Sequence, residues 1–206
     1  MKNLLVALLV ISTAGHALAQ AEWTESGLLT AKIDGTEHEM RSWYTQVPED
    51  AADGIEDAAV REFAQQYAGT VQHTAWFRYA EPIEMVGIVL SPATIWVTIG
   101  VRPDADQSVP GRIDVEFALD PETLELVEGQ QTIRYYPEEW DLSDYYGLTE
   151  GELIIDEIVE NSDGSWQMRG RISGLVTHQT SISPVHNPDD ALTFDVEFVI
   201  DTLARK

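Results

Sequence analysis

The stretch "ALTFDVEFVID", residues 191–201, decides the fold class. Apolar and polar side chains alternate along it without interruption, and the segment "RIDVEFAL", residues 112–119, repeats the pattern. Successive side chains of a β-strand point to opposite faces, so this alternation predicts strands with one buried and one solvent-exposed face. The predicted inward residues are Ile113, Val115, Phe117, Leu119, Leu192, Phe194, Val196, Phe198 and Ile200.

Two Asp-Gly dipeptides predict how neighbouring strands are joined. Asp34-Gly35 separates two strand-like runs in "LTAKIDGTEHEM", and Asp163-Gly164 joins "ELIIDEIV" to a strand that starts near Trp166. Asp-Gly between strands is a strong hairpin signal. The more continuously apolar segments "IEMVGIVL", residues 83–90, and "TIWVTIGV", residues 94–101, are interpreted as central strands.

These segments together predict a mainly β protein, an antiparallel β-sandwich of about nine strands with one helix, and a small β-barrel is the alternative. The helix is predicted over Gly54–Ala68, where apolar residues recur at helical spacing. Asp53 and Glu56 form a predicted capping box, and Gly69 stands where a helix would end.

The N-terminus has the layout of a secretory signal peptide. Lys2 precedes the apolar run "LLVALLVISTAG", and Ala17-Leu18-Ala19 offers the small residues that a signal peptidase recognises. We predict a signal peptide over residues 1–19 and a single mainly-β domain over 20–206, with cleavage after Ala21 as a second choice. The chain contains no cysteine, so disulfides, thiol catalysis and a cysteine-linked lipid are excluded. A soluble periplasmic or secreted protein without stable membrane anchoring is expected.

The formal net charge of −24 bears on the choice of partners. A surface this negative repels phosphate backbones and anionic lipid headgroups, so nucleic-acid binding is not expected. The acids are spread along the whole chain, which is typical of a solvated acidic coat. A carbohydrate or another envelope protein is the class of partner left open.

No catalytic residue is assigned. The chain has no G-x-S-x-G elbow, no phosphate-binding G-x-x-x-x-G-K-[ST] loop and no S-x-x-K motif. We therefore expect no cofactor and favour a function without catalysis.

The best candidate for ligand binding is "YYPEEWDLSDYYG", residues 135–147. Rings of Tyr and Trp can stack on sugar faces, and neighbouring carboxylates can accept hydrogen bonds from hydroxyl groups. The alternative is that the rings cover an open edge of the core, with one ring of each adjacent tyrosine pair pointing inward. Packing is the default expectation for Trp140. We place Trp140, Asp141, Asp144, Tyr145 and Tyr146 in a loop that precedes a strand at Gly151. The candidate ligand-binding residues are Trp140, Asp141, Asp144, Tyr145 and Tyr146.

A candidate metal site lies in "THQTSISPVHNPDD", residues 177–190, where imidazole and carboxylate groups are close in sequence. Its residues are His178, His186 and Asp189. Pro184, Pro188 and the polar residues around them also suit an ordinary loop between strands.

The leading functional hypothesis is a non-enzymatic soluble protein of the bacterial cell envelope that acts as a binding or accessory module. One alternative is a carbohydrate- or calcium-binding module that uses the Tyr135–Tyr146 segment. Another is a small outer-membrane β-barrel, since an alternating strand also suits an apolar lipid face and a polar lumen.

Overall fold

A computed structural model of the chain describes residues 22–206 except 87, 106–108, 139–143 and 181–182. The predicted signal peptide lies outside the described residues and stays a prediction. The described residues form two compact units, residues 22–24 with 44–73 and residues 25–43 with 74–206. The prediction of a single domain over residues 20–206 also stays a prediction.

The elements in chain order are β1 (Trp23–Ile33), β2 (Thr36–Gln46), α1 (Ala58–Tyr67), β3 (Val71–His73), β4 (Ala75–Ala80), β5 (Ile83–Met85), β6 (Ile88–Ser91), β7 (Thr94–Val101), β8 (Arg112–Leu119), β9 (Leu126–Tyr136), β10 (Asp144–Glu160), β11 (Trp166–Thr180) and β12 (Ser183–Arg205).

The smaller unit contains α1, which starts one turn later than predicted. The Asp57 side chain accepts a hydrogen bond from the Ala59 amide at 2.9 Å, so Asp57 caps the helix and the predicted Asp53–Glu56 capping box is wrong. Gly54 has a φ of +77°, which is incompatible with a helical residue, and this explains the later start.

The end of α1 is as predicted. Gly69 adopts a φ of +73°, and its amide donates to the Val47 carbonyl at 3.1 Å. The chain then forms β3, which pairs with Tyr44–Gln46 at the end of β2. Among the described residues, no helix combines the length and the apolar composition needed to cross a bilayer.

The larger unit is built on antiparallel strand pairing. Hydrogen-bonded neighbours run in the order β11-β10-β9-β8-β7-β4-β12, and β11 also pairs with β12, so these seven strands form a ring. β1 pairs with β12 over Gly27–Ile33, next to the short parallel contact of β12 with β4. Such a ring of paired strands occurs in small barrels. It also occurs in sandwiches whose long strands bend from one layer to the other. The mainly antiparallel β class with one helix is confirmed, with twelve strands in the described residues.

The alternating residues point inward as predicted. Ile113, Val115, Phe117 and Leu119 of β8 are fully buried, and Phe194, Val196, Phe198 and Ile200 of β12 are at most 2% exposed. The two Asp-Gly turns are also observed, with φ values of +46° and +82° at Asp34 and Gly35, as a two-residue hairpin turn requires.

One strand prediction is wrong. The segment 83–90 is not a central strand but forms β5 and β6, a separate two-stranded sheet. Its two flanks are joined by a turn at Val86, which has a φ of +53° and is almost fully exposed, and Ile83 is 60% exposed. A continuous apolar run without alternation does not specify burial, and here the local turn decides the structure.

Candidate functional site

Strand pairing brings the two candidate segments of the sequence together. β10 begins at Asp144, and in its register with β11 Tyr146 lies opposite His178. The prediction that Asp144, Tyr145 and Tyr146 belong to a loop is therefore wrong. Tyrosine favours strands, and Tyr146 also pairs across to Tyr135 of β9. Trp140 and Asp141 lie outside the described residues, and their roles stay predictions.

The segment 177–190 is also more regular than predicted. β11 continues to Thr180, and β12 already begins at Ser183, so most of the expected loop is a hairpin of two strands. His178 pairs with Asn187 across a register shift. A register irregularity accommodates prolines, which cannot donate to the ladder, and this explains why Pro184 and Pro188 are tolerated.

The pairing produces a compact group that we call the tyrosine–aspartate cluster, formed by Tyr135, Asp144, Tyr146, His178 and Asp190. The Tyr146 hydroxyl donates a hydrogen bond to Asp190 Oδ1 at 3.0 Å. The Nε2 atom of His178 contacts Asp144 Oδ1. The Tyr146 ring lies between two others, with centroid distances of 5.5 Å to His178 and 6.3 Å to Tyr135. Three strands thus hold two carboxylates beside a phenol and an imidazole.

The cluster is anchored to the core but open to solvent. Tyr135 and Tyr146 are half-buried and pack against the hydrophobic core. The side chains of Asp144 and His178 are 52% and 31% exposed. The carboxylate and the imidazole are therefore accessible, while the rings behind them are fixed by packing.

The neighbouring tyrosines point to the opposite face, as expected for adjacent strand residues. Tyr136 contacts Tyr145 with a centroid distance of 5.7 Å. The Arg112 guanidinium lies over the Tyr136 ring at 5.7 Å, and the Arg134 guanidinium lies over Tyr145 at 5.6 Å. Tyr136 is only 6% exposed. This pair contributes to packing through ring and cation–π contacts.

The tyrosine hydroxyls of the cluster are held in the neutral form. Burial raises the pKa of Tyr146 above its ordinary value, and the hydrogen bond to Asp190 and the negative charges of Asp190 and Asp144 raise it further. Burial also raises the pKa of Tyr135. Tyr146 therefore remains a hydrogen-bond donor at neutral pH, and Asp190 is oriented by it.

A cavity of about 370 Å³ lies on the side of Tyr145, and its lining residues do not include any member of the tyrosine–aspartate cluster. Arg134, Tyr145, Gly147 and Gln179 line it, so cationic, aromatic and amide groups converge on one concave space. Its volume lies within the range of small-molecule sites, about 300–1,000 Å³.

The predicted metal ligands are not seen to converge. His178 contacts Asp144, and Asp189 is exposed, with its backbone amide donating to Asn187 Oδ1 at 3.3 Å. The side chain of His186 is outside the described part of the structure. Within the described part of the chain, no group of three or more His, Asp or Glu side chains is arranged to hold a metal ion.

The sequence places Asp190 in the candidate metal-binding segment but does not connect it with Tyr146, and it does not connect His38 with this region. Alternation along β12 would have distinguished Asp190 from Asp189, had the strand been recognised. The His38 ring approaches Tyr135 with a centroid distance of 6.5 Å, and no local pattern predicts this contact, because His38 lies on β2.

The chain matches no protein-family model, no curated protein and no solved structure.

Proposed function

We propose that the chain is a non-enzymatic, secreted or periplasmic protein of the bacterial cell envelope that acts by binding a ligand at the tyrosine–aspartate cluster. The observation that carries this proposal is the hydrogen bond from Tyr146 to Asp190 beside the Asp144–His178 contact. Side chains from β10, β11 and β12 are thereby fixed in one accessible place. Fixing polar groups before binding lowers the entropic cost of association.

A carbohydrate is the ligand class that we favour. Each carboxylate of the cluster has an oxygen that can accept hydrogen bonds from sugar hydroxyls, and the tyrosine and histidine rings provide apolar contact area. Calcium remains the second candidate, because it binds carboxylates, but it takes six to eight oxygen ligands. The described part of the cluster offers two carboxylates, which supports the carbohydrate proposal.

The ligand proposal predicts selective loss of binding on a glycan array. Asp190→Asn removes a charged acceptor that Tyr146 orients, and we expect binding to weaken about tenfold or more. The matched control is Asp195→Asn, since Asp195 is an exposed carboxylate further along β12 and lies outside the cluster. Equal losses in the two variants, or no glycan binding by the unaltered protein, would contradict the proposal. Saturable Ca²⁺ binding that Asp144→Asn abolishes would favour the calcium alternative.

The location is supported by the predicted signal peptide. We expect the mature protein in the periplasm or medium, beginning at Gln20 or Glu22. N-terminal sequencing after cell fractionation measures both, and an intact Met1 in the cytoplasmic fraction would refute the proposed location.

A further inference from the structure

β9 and β10 are neighbours in the ring but pair with each other at only two positions. Tyr146 lies opposite Tyr135, and Gly147 lies opposite Arg134. The remainder of β10, to Glu160, pairs with β11 on its other edge. Within the described residues, the edge of β10 that faces β9 therefore has no ladder partner from Leu148 onward.

The backbone conformation of β10 explains this divergence. A register shift between Leu148 and Glu150 marks a bulge, and Gly151 follows with a φ of +137°. Bulges bend a strand and increase its twist, so β10 turns away from β9 at this point. The backbone of Gly151–Ile155 is therefore unpaired on the edge that faces β9.

The space between the diverging strands is an apolar groove, which we call the β9–β10 seam. It has a volume of about 440 Å³ and lies between Leu124–Leu126 and Leu153–Ile158. Leu124, Leu126, Ile155 and Ile158 are half-buried and pack against the core on their inner side. Their remaining exposed surface lies beside unpaired backbone, which is the arrangement that an added β-strand recognises.

The charge of the seam determines which kind of added strand it can accept. The segment Gly151–Glu160 contains four acids and no basic residue, and Glu125 lies on the opposite side of the groove. Two arginines of β11 offset part of this charge, since Arg171 contacts Asp156 at 3.0 Å and Arg169 contacts Glu157 at 3.5 Å. An acidic strand of a second copy would be repelled, and the register shift between Ile155 and Glu157 further disfavours pairing of identical edges.

We propose that the β9–β10 seam binds an extended basic peptide segment of another protein, which adds a strand to Gly151–Ile155. Its backbone pairs with β10, its inward apolar side chains cover the four half-buried residues, and its outward Lys or Arg side chains face Glu125 and Glu152. This site is separate from the tyrosine–aspartate cluster and does not depend on the ligand bound there.

The test uses the mature chain and a fluorescent peptide of alternating Lys and Val, with binding followed by anisotropy. Two control peptides are compared, one with Glu in place of Lys and one with N-methylated valines. N-methylation keeps the charge but removes backbone hydrogen-bond donors. We therefore expect the N-methylated peptide to bind at least about tenfold more weakly than the Lys–Val peptide. The Glu peptide is expected not to bind.

A charge-reversed variant, Glu125→Lys with Glu152→Lys, is expected to bind the Lys–Val peptide about tenfold more weakly. The matched control is Asp195→Lys with Glu197→Lys, which changes net charge equally on the exposed face of β12, where both edges are paired. We expect this control to bind like the unaltered protein. Any one of four outcomes would overturn the proposal. These are equal losses of affinity in the two variants, equal binding of the N-methylated peptide, no binding of the Lys–Val peptide, and self-association of the protein without peptide.

Discussion

Trp166→Ala is expected to lower the free energy of unfolding by about 3–5 kcal/mol, the range for truncating a large aromatic in a core. Trp166 is 5% exposed and begins β11 directly after the Asp163–Gly164 turn. Its ring stacks on Phe77 with a centroid distance of 4.0 Å and an interplanar angle of 12°. Alanine would leave one face of Phe77 without a contact, and stacked rings add to area burial.

Chemical denaturation of the unaltered protein and the variant measures this loss. Trp76→Ala is the matched control, because the Trp76 ring is only partly buried and has Lys206 Nζ at 4.3 Å from its centroid. Its truncation removes a cation–π contact and partial burial, so we expect a clearly smaller loss, on the order of 1 kcal/mol. Similar losses at the two positions would show that the Phe77–Trp166 stack does not anchor the core.

The inward position of Trp166 follows from the sequence, but its partner does not. Alternation of Trp166 with Met168 predicts the face that each side chain takes, and both are buried. Phe77 lies on β4, a distant strand, and long-range pairing depends on the whole ring of strands. Local periodicity can therefore identify core residues without identifying their contacts.

The same distinction explains the outcome at the candidate site. The sequence identified Tyr146 and His178 as functional candidates in separate segments, and only the β10–β11 register placed them opposite each other. Prolines near residue 186 suggested a loop, because a central strand excludes proline, but a hairpin with register shifts tolerates it. Residue type indicated the chemistry, while register determined which groups meet.

The β9–β10 seam could not be predicted for a related reason. The prediction of a strand at "ELIIDEIV" is confirmed, since this segment lies within β10. Whether the next strand remains beside it depends on the bulge between Leu148 and Glu150 and on the backbone of Gly151. Neither feature leaves a periodic signal, since a glycine in a strand is compatible with a bulge, a bend or a close backbone contact.

Gly151→Ala is expected to destabilise the protein by about 3 kcal/mol or more, from backbone strain and steric overlap together. The φ of +137° at Gly151 is rarely adopted by residues with a side chain. A Cβ at this position would lie 2.1 Å from the Ser173 carbonyl oxygen and 2.7 Å from the Gly174 Cα. Both atoms belong to the backbone of β11, so no side-chain rotation can relieve the overlap, and the two strands must move apart.

Gly164→Ala separates the two causes, because Gly164 has a φ of +80° but an added Cβ would meet no atom within 4 Å. We expect this control to lose only the conformational term, about 1–2 kcal/mol. Denaturant unfolding of both variants measures the difference, which corresponds to the contact with β11. A Gly151→Ala loss no larger than that of Gly164→Ala would contradict the close approach of Gly151 to β11. If the loss is large, the bend that opens the β9–β10 seam depends on a glycine pair, since Gly174 lies opposite Gly151 and its own Cβ would be 2.0 Å from the Glu150 carbonyl oxygen.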